Sequence, residues 1–115
     1  MKKEYKTIDG QDILFIIGRV QQENHKVIDM GGPDDIWFHA SETPSCHVVA
    51  IIPDDFDLID NQKCLVKMGA LLCKQYTNKL KSTKNVEIVY TCVKNVEKLH
   101  VPGSVNVKEG KYIKV

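Results

Sequence analysis

The chain has 115 residues, 43% of them apolar and 27% charged, which suffices for one buried core and is too little for two domains. No run approaches the roughly 18 apolar residues needed to cross a bilayer, and the basic start Met1-Lys2-Lys3 has no apolar stretch behind it, so neither a membrane partner nor a secretory signal is expected; the default location is the cytosol or nucleus, with the cytoplasm the expected one. The net charge of +1 hides an asymmetry: residues 1–60 carry 5 Lys+Arg against 12 Asp+Glu, residues 61–115 carry 11 against 3, so the second half either offers a basic face to a polyanion or neutralises the first within the fold.

In chain order, residues 5–8 read as a short strand stopped by the turn pair Asp9-Gly10. Residues 13–17 form an apolar run of strand length closed by Gly18, and the two predict an N-terminal hairpin whose connection Gln11 and Asp12 lengthen. A polar, helix-compatible stretch covers residues 19–29, and Met30-Gly31-Gly32-Pro33-Asp34 breaks it. The next strand, residues 35–40, alternates: Ile36, Phe38 and Ala40 share one face, Asp35, Trp37 and His39 the other. A loop at 41–45 leads to a β-rich run over 46–52, which places His39 and His47 near the two ends of one short connection.

Cys64, Leu65, Met68, Leu71, Leu72 and Tyr76 recur at three- and four-residue spacing and predict one long helix over about 60–78, capped by Asp60 or Asn61. Gly69 marks a weak point or a close approach. Residues 86–93 read as a strand with Val86, Ile88, Tyr90 and Cys92 on one face, and residues 105–107 and 112–115 as a C-terminal hairpin about Glu109-Gly110. Together these predict a single α+β domain over residues 1–115, a mostly antiparallel sheet packed against one long helix.

Cys46, Cys64, Cys73 and Cys92 contain no CxxC pair, so they read as reduced structural residues, with no zinc site and no cofactor implied. No triad order, phosphate-cradling glycine loop or metalloprotease helix is present, so catalysis is not expected. A metal-dependent hydrolase using His39 and His47 would need a third ligand that the sequence does not supply.

These motifs resemble NFACT-R, the RNA-binding module of the NFACT proteins of ribosome-associated quality control. The resemblance runs from Thr7 to Val115 through Asp9-Gly10, Gly18-Arg19, Gln22-Glu23-Asn24 and, most specifically, Asp34-Asp35-Ile36-Trp37-Phe38-His39-Ala40. It continues through Pro44-Ser45-Cys46-His47, Val93-Lys94-Asn95-Val96, Lys98, Pro102-Gly103-Ser104 and Tyr112-Ile113-Lys114-Val115. Family members usually carry glycine and serine at Ser45 and Cys46, and an acidic residue at His25. The family implies a non-catalytic module for tRNA, rRNA or other RNA associated with the large ribosomal subunit. Docking on the ribosome or another complex through protein surfaces is the alternative.

The candidate contacts are Arg19, Asp35, Trp37, His39, His47, Lys74, Lys79, Lys81, Lys84, Lys94 and Lys98. Trp37 offers either a stacking surface or, as its bulk favours, a second core layer. His39 and His47 read equally as ligand-facing or as satisfied core histidines. The lysines read as phosphate contacts or as a solvated face, with Lys94 and Lys98 singled out by the module's motif.

Overall fold

A computed structural model describes all 115 residues. β1 (Lys2–Ile8) and β2 (Gln11–Gly18) form the N-terminal hairpin, with Ile8 paired to Gln11. The connection is therefore two residues, shorter than the sequence suggested: Asp9 (φ 52°) and Gly10 (φ 75°) both adopt the left-handed backbone that a tight primed turn needs, so Gln11 and Asp12 are already in the strand.

α1 (Gln21–Met30) follows, then β3 (Ile36–Ala40), β4 (His47–Ile51), α2 (Leu58–Gln75) and β5 (Glu87–Cys92). A 3-10 turn at Val93–Asn95 leads into β6 (Val96–Lys98), β7 (Val105–Val107) and β8 (Lys111–Lys114). The main sheet has six strands in the order β1-β2-β4-β3-β5-β8, and every pairing is antiparallel. No helix is long and apolar enough to cross a membrane.

The period-two alternation of β3 divides the interior. Ile36, Phe38 and Ala40 join Phe15, Val48, Ala50 and Ile88 under α2 in the larger core. Trp37 joins Ile16, Val49, Val89 and Val93 in a second layer, covered by Val27 and Ile28 of α1 and by the β6–β7 ribbon. The sheet thus lies between one long helix and, on its other face, a shorter helix with a two-stranded flap.

Three sequence expectations need correction. The long helix spans Leu58–Gln75 because Asp57, not Asp60 or Asn61, caps it, accepting from the Asp60 N–H at 3.1 Å. Its far end is tied down at Thr77, whose hydroxyl donates to the Cys73 carbonyl (2.9 Å) and accepts from the Cys46 N–H (3.1 Å). Its buried face is Leu65, Val66, Gly69, Ala70, Leu72 and Cys73, while Cys64 and Leu71 face solvent. The C-terminal strands do not pair with each other: β7 pairs with β6, and β8 with β5. Ile113 serves the larger core and Val105 and Val107 the second, so residues 108–110 must cross from one face to the other. The Thr91 hydroxyl engages the Lys108 and Glu109 carbonyls, each at 3.2 Å, and holds that crossing.

Gly69 is where Phe38 seats against α2: a Cβ there would lie 2.2 Å from Phe38 Cζ. Phe38 has no exposed surface and cannot swing away. Alanine would add about 1 kcal/mol of helix propensity, but overpacking costs about 1–3 kcal/mol. Gly69→Ala is therefore expected to destabilise in urea unfolding, and Phe38→Leu to recover part of that loss in a double-mutant cycle. A Gly69→Ala protein as stable as the parent would mean that the ring has room to shift.

Candidate nucleic-acid interface

At one end of the sheet, β3 finishes at His39 and Ala40 and β4 starts at His47, so the predicted proximity of the two histidines is real. Their rings meet edge to face with centroids 4.6 Å apart. Trp37, on the same face, lies parallel to His39 (5.7 Å) and edge-on to His47 (5.5 Å). Its indole N–H donates to His47 Nδ1 at 3.1 Å. His47 must therefore carry its proton on Nε2, and that buried atom has no hydrogen-bond partner in the protein. The Gly103 backbone exerts a weak upward pull on the ring but lies outside hydrogen-bond geometry.

Both imidazoles are biased towards the neutral form. Burial pushes His47 down to about 3, helped by the neighbouring His39 and His25. Burial also lowers His39, opposed by its bond to the Ala40 carbonyl and reinforced by the Lys79 charge. His39 Nδ1 sits 2.7 Å from that carbonyl, and since a carbonyl only accepts, Nδ1 holds the proton and Nε2 is left as an acceptor.

Around this pair the fold closes a pocket of about 420 Å³, walled by the start of α1, the 42–45 turn and the 101–105 segment. His25 on α1 helps set that wall, its Nε2 lying 3.0 Å from the Ser104 carbonyl; this gives a role to a residue at which the chain departs from the family pattern. Ser45, the other departure, accepts from the Ala40 N–H at 2.9 Å and so closes the turn with its hydroxyl. A second groove of about 630 Å³ shares Gln21, Asn24, Pro44 and Ser45 with the pocket and adds Arg19 and Lys79. α1 begins at Val20 without a side-chain cap, and Glu23 in its first turn accepts from the Arg19 N–H at 3.0 Å.

The predicted site residues fall into two groups. Arg19, His39, His47 and Lys79 converge at this end. Lys81 and Lys84 are exposed on the connection that returns to β5 beside Ala40, and Lys74 donates to the Val115 carbonyl at 3.2 Å nearby. Asp35, Lys94 and Lys98 do not join them. Asp35 begins β3 at its opposite end, and both its oxygens are engaged, by the Gly32 N–H (2.7 Å) and the Ile52 N–H (2.8 Å). Lys94 pairs with Asp34 at 3.2 Å and Lys98 with Asp29 at 2.5 Å. Trp37 has no exposed surface, so stacking on a base is closed to it: burying the large ring fills the second core layer.

Sequence reasoning overlooked Gln21 and Asn24 on α1 and the pocket wall at Gly103 and Ser104. Asn24, Pro44 and Pro102-Gly103-Ser104 belong to the motif run that the chain shares with the family, so the signal was there without a role attached. No third His, Cys, Asp or Glu joins His39 and His47 in a geometry that could hold a metal ion.

The sequence profile of the family described as the NFACT protein RNA binding domain matches residues 1–113. Coiled-coil domain-containing protein 25 of Danio rerio is 32% identical over 82 residues, which cover 71% of this chain and 40% of the fish protein. The Bos taurus protein of the same name is 32% identical over 92 residues, 80% of this chain and 44% of its own length. The Dictyostelium discoideum homologue is 30% identical over 94 residues, 82% and 45% respectively. The chain thus spans less than half the length of these relatives. In fold it is similar to the C-terminal region of the fibronectin/fibrinogen-binding protein from Streptococcus suis, with a TM-score of 0.76 at 23% identity over 98% of this chain and 44% of that one. A profile match over nearly every residue, on a fold whose marker segment forms the central strand β3, makes this chain a member of the NFACT RNA-binding domain family.

Proposed function

We propose that the domain is a non-catalytic module that grips RNA with the end of the sheet where Arg19, His39, His47 and Lys79 meet. The observation that carries this reading is the pairing of a polar pocket walled by His39, His47 and Asn24 with a groove lined by two cations, Arg19 and Lys79, on a domain of an RNA-binding family. Structured or ribosome-associated RNA, tRNA or rRNA in translation and ribosome quality control, is the proposed ligand class, and the cytoplasm the proposed site of action.

Phosphate contacts supply affinity that falls with salt, roughly one unit of log–log slope for each cation engaged. The test is a salt-dependent titration with tRNA and with a ribosomal RNA fragment. Replacing Arg19 and Lys79 together by alanine is expected to weaken binding at low salt at least about tenfold and to flatten the slope by about two. Replacing Lys94 and Lys98 is expected to change it less, because both already pair with aspartates. Equal losses in the two double variants would remove the proposed geometry, and no RNA binding at low salt would remove the reading.

One observation favours a second reading, docking through a protein surface. Ile59 is 91% exposed and Tyr112 60%, on the rim of a groove of about 780 Å³ between α2 and the edge strand β8. Ribosome association that survives nuclease treatment and is lost in Ile59→Asp would support that reading over RNA contact.

A further inference from the structure

The chain has two buried side-chain polar atoms without a hydrogen-bond partner, His47 Nε2 and Asn24 Oδ1. Both residues line the same pocket. Leaving such a group unpaired is unfavourable, and native proteins hold few of them, so two in one pocket call for an explanation. Asn24 is only 6% exposed and His47 1%. The Asn24 amide bridges the wall: a methyl group on Gly18 would lie 2.8 Å from its Oδ1, and one on Gly103 would lie 3.5 Å from its Nδ2.

The chemistry of this lining selects the ligand. His47 presents an N–H donor, His39 an acceptor, and Asn24 an amide carrying both. No Lys or Arg lines the pocket, and Glu42 stands at its rim. A phosphate, which only accepts and carries negative charge, is the wrong shape of charge for that wall. The edge of a nucleobase is neutral and carries donors and acceptors side by side, which is what the wall complements. The volume, about 420 Å³, lies within the range of small-ligand pockets. The adjoining groove has the opposite character: Arg19 and Lys79 line it, and the nearby Glu23 carboxylate is already engaged by the Arg19 N–H and the N-terminal ammonium, so the two cations suit the phosphate that accompanies the base.

We propose that this pocket receives one unpaired nucleobase of a single-stranded RNA segment, edge-on to His39 and, as the 101–105 wall gives way to it, to the buried His47 and Asn24, with its phosphate over Arg19 and Lys79. This rests on the RNA reading above and adds to it a preference for unpaired nucleotides and a place where base identity is read. His47 is fixed in its donor state by the Trp37 N–H, so Trp37 is a positioning residue that acts without touching the ligand.

The test is a set of titrations of the full chain, followed by amide NMR, with the four 5′-ribonucleoside monophosphates, inorganic phosphate, a short single-stranded oligoribonucleotide and its duplex. Monophosphates are expected to shift the Asn24 side-chain amide and the Gly103 and Ser104 backbone amides. Inorganic phosphate is expected to shift only signals around Arg19 and Gln21. The single strand is expected to bind roughly tenfold tighter than the duplex, in the range that a base contact adds. His47→Phe, which lacks a donor, should remove most of that advantage. His47→Gln, whose carbonyl can accept from Trp37 while its amide donates, should retain part of it. Should His47→Phe fail to fold, Val101→Trp at the exposed rim, which blocks the entrance, should have the same effect. Equal affinity for duplex and single strand, or pocket shifts reproduced by inorganic phosphate, would overturn the proposal while leaving RNA binding intact. Pocket shifts with monophosphates but no affinity for either RNA would support the nucleotide pocket and overturn the RNA reading.

Discussion

Trp37→Ala is expected to cost about 3–5 kcal/mol of stability, the range for deleting a fully buried large ring. Against the roughly 5–15 kcal/mol that holds a small domain folded, the variant should be marginal at room temperature. The size follows from position: Trp37 has no exposed surface and sits at the centre of the layer between the sheet and α1. Trp37→Phe separates the two parts of the effect. It keeps most of the apolar contact but removes the N–H, leaving His47 Nδ1 buried without a partner, at about 1–3 kcal/mol. Urea unfolding of the two variants beside the parent measures both. A loss below about 1.5 kcal/mol for Trp37→Ala, the scale of a half-exposed ring, would return Trp37 to the list of surface contacts.

The same residue illustrates what the sequence made legible. Alternation over residues 35–40 sorted Ile36, Phe38 and Ala40 from Trp37 and His39 correctly, because side chains of a strand must point to opposite faces. The residues of β5 divide the same way, Ile88 to one core and Val89 to the other. The α2 stripe was right at Leu65, Met68, Leu72 and Tyr76 and wrong at Cys64 and Leu71, because large apolar residues draw attention, whereas part of the surface that meets the sheet is made by Gly69 and Ala70, which leave room for Phe38. The fate of residues 105–107 was not legible either. Three residues of strand character pair with either neighbour equally well, and the choice was made by which core their valines cover.

The site divides along a similar line. His39 and His47 could be placed together because the seven residues of strand end and turn between them leave few alternatives. Arg19 and Lys79 could not, since they belong to the ends of different elements brought together only by the packing of α1 and α2 on opposite faces. Lys94 and Lys98 matched a motif, but their aspartate partners lie about sixty to seventy positions away in the chain and exist as neighbours only in the fold.

Mild acid is expected to destabilise the protein well before its carboxylates titrate. The unfolded chain takes a proton on each histidine near the ordinary value of 6.5, whereas folded His47 resists protonation down to about 3. Between those values the unfolded state binds more protons, so stability falls as pH falls. The slope for one such histidine is about 1.4 kcal/mol per pH unit, or about 2 kcal/mol lost by about pH 5. His39, lowered in the same direction, adds to the loss over a narrower range because it is partly exposed. Besides burial, the charges of His39 on β3 and His25 on α1 oppose protonation of the His47 ring; the Gly103 backbone opposes the shift, and Glu42, which lines the same pocket, is not among its causes. Urea unfolding from neutral pH to about pH 5, in the parent and in His47→Gln, reads the effect directly. The variant should lose the His47 share of the slope while staying comparable to the parent in how little it changes above pH 7. A parent whose stability is flat across this window would mean that His47 titrates freely in the folded state, and that the Trp37 N–H does not hold its Nδ1 unprotonated.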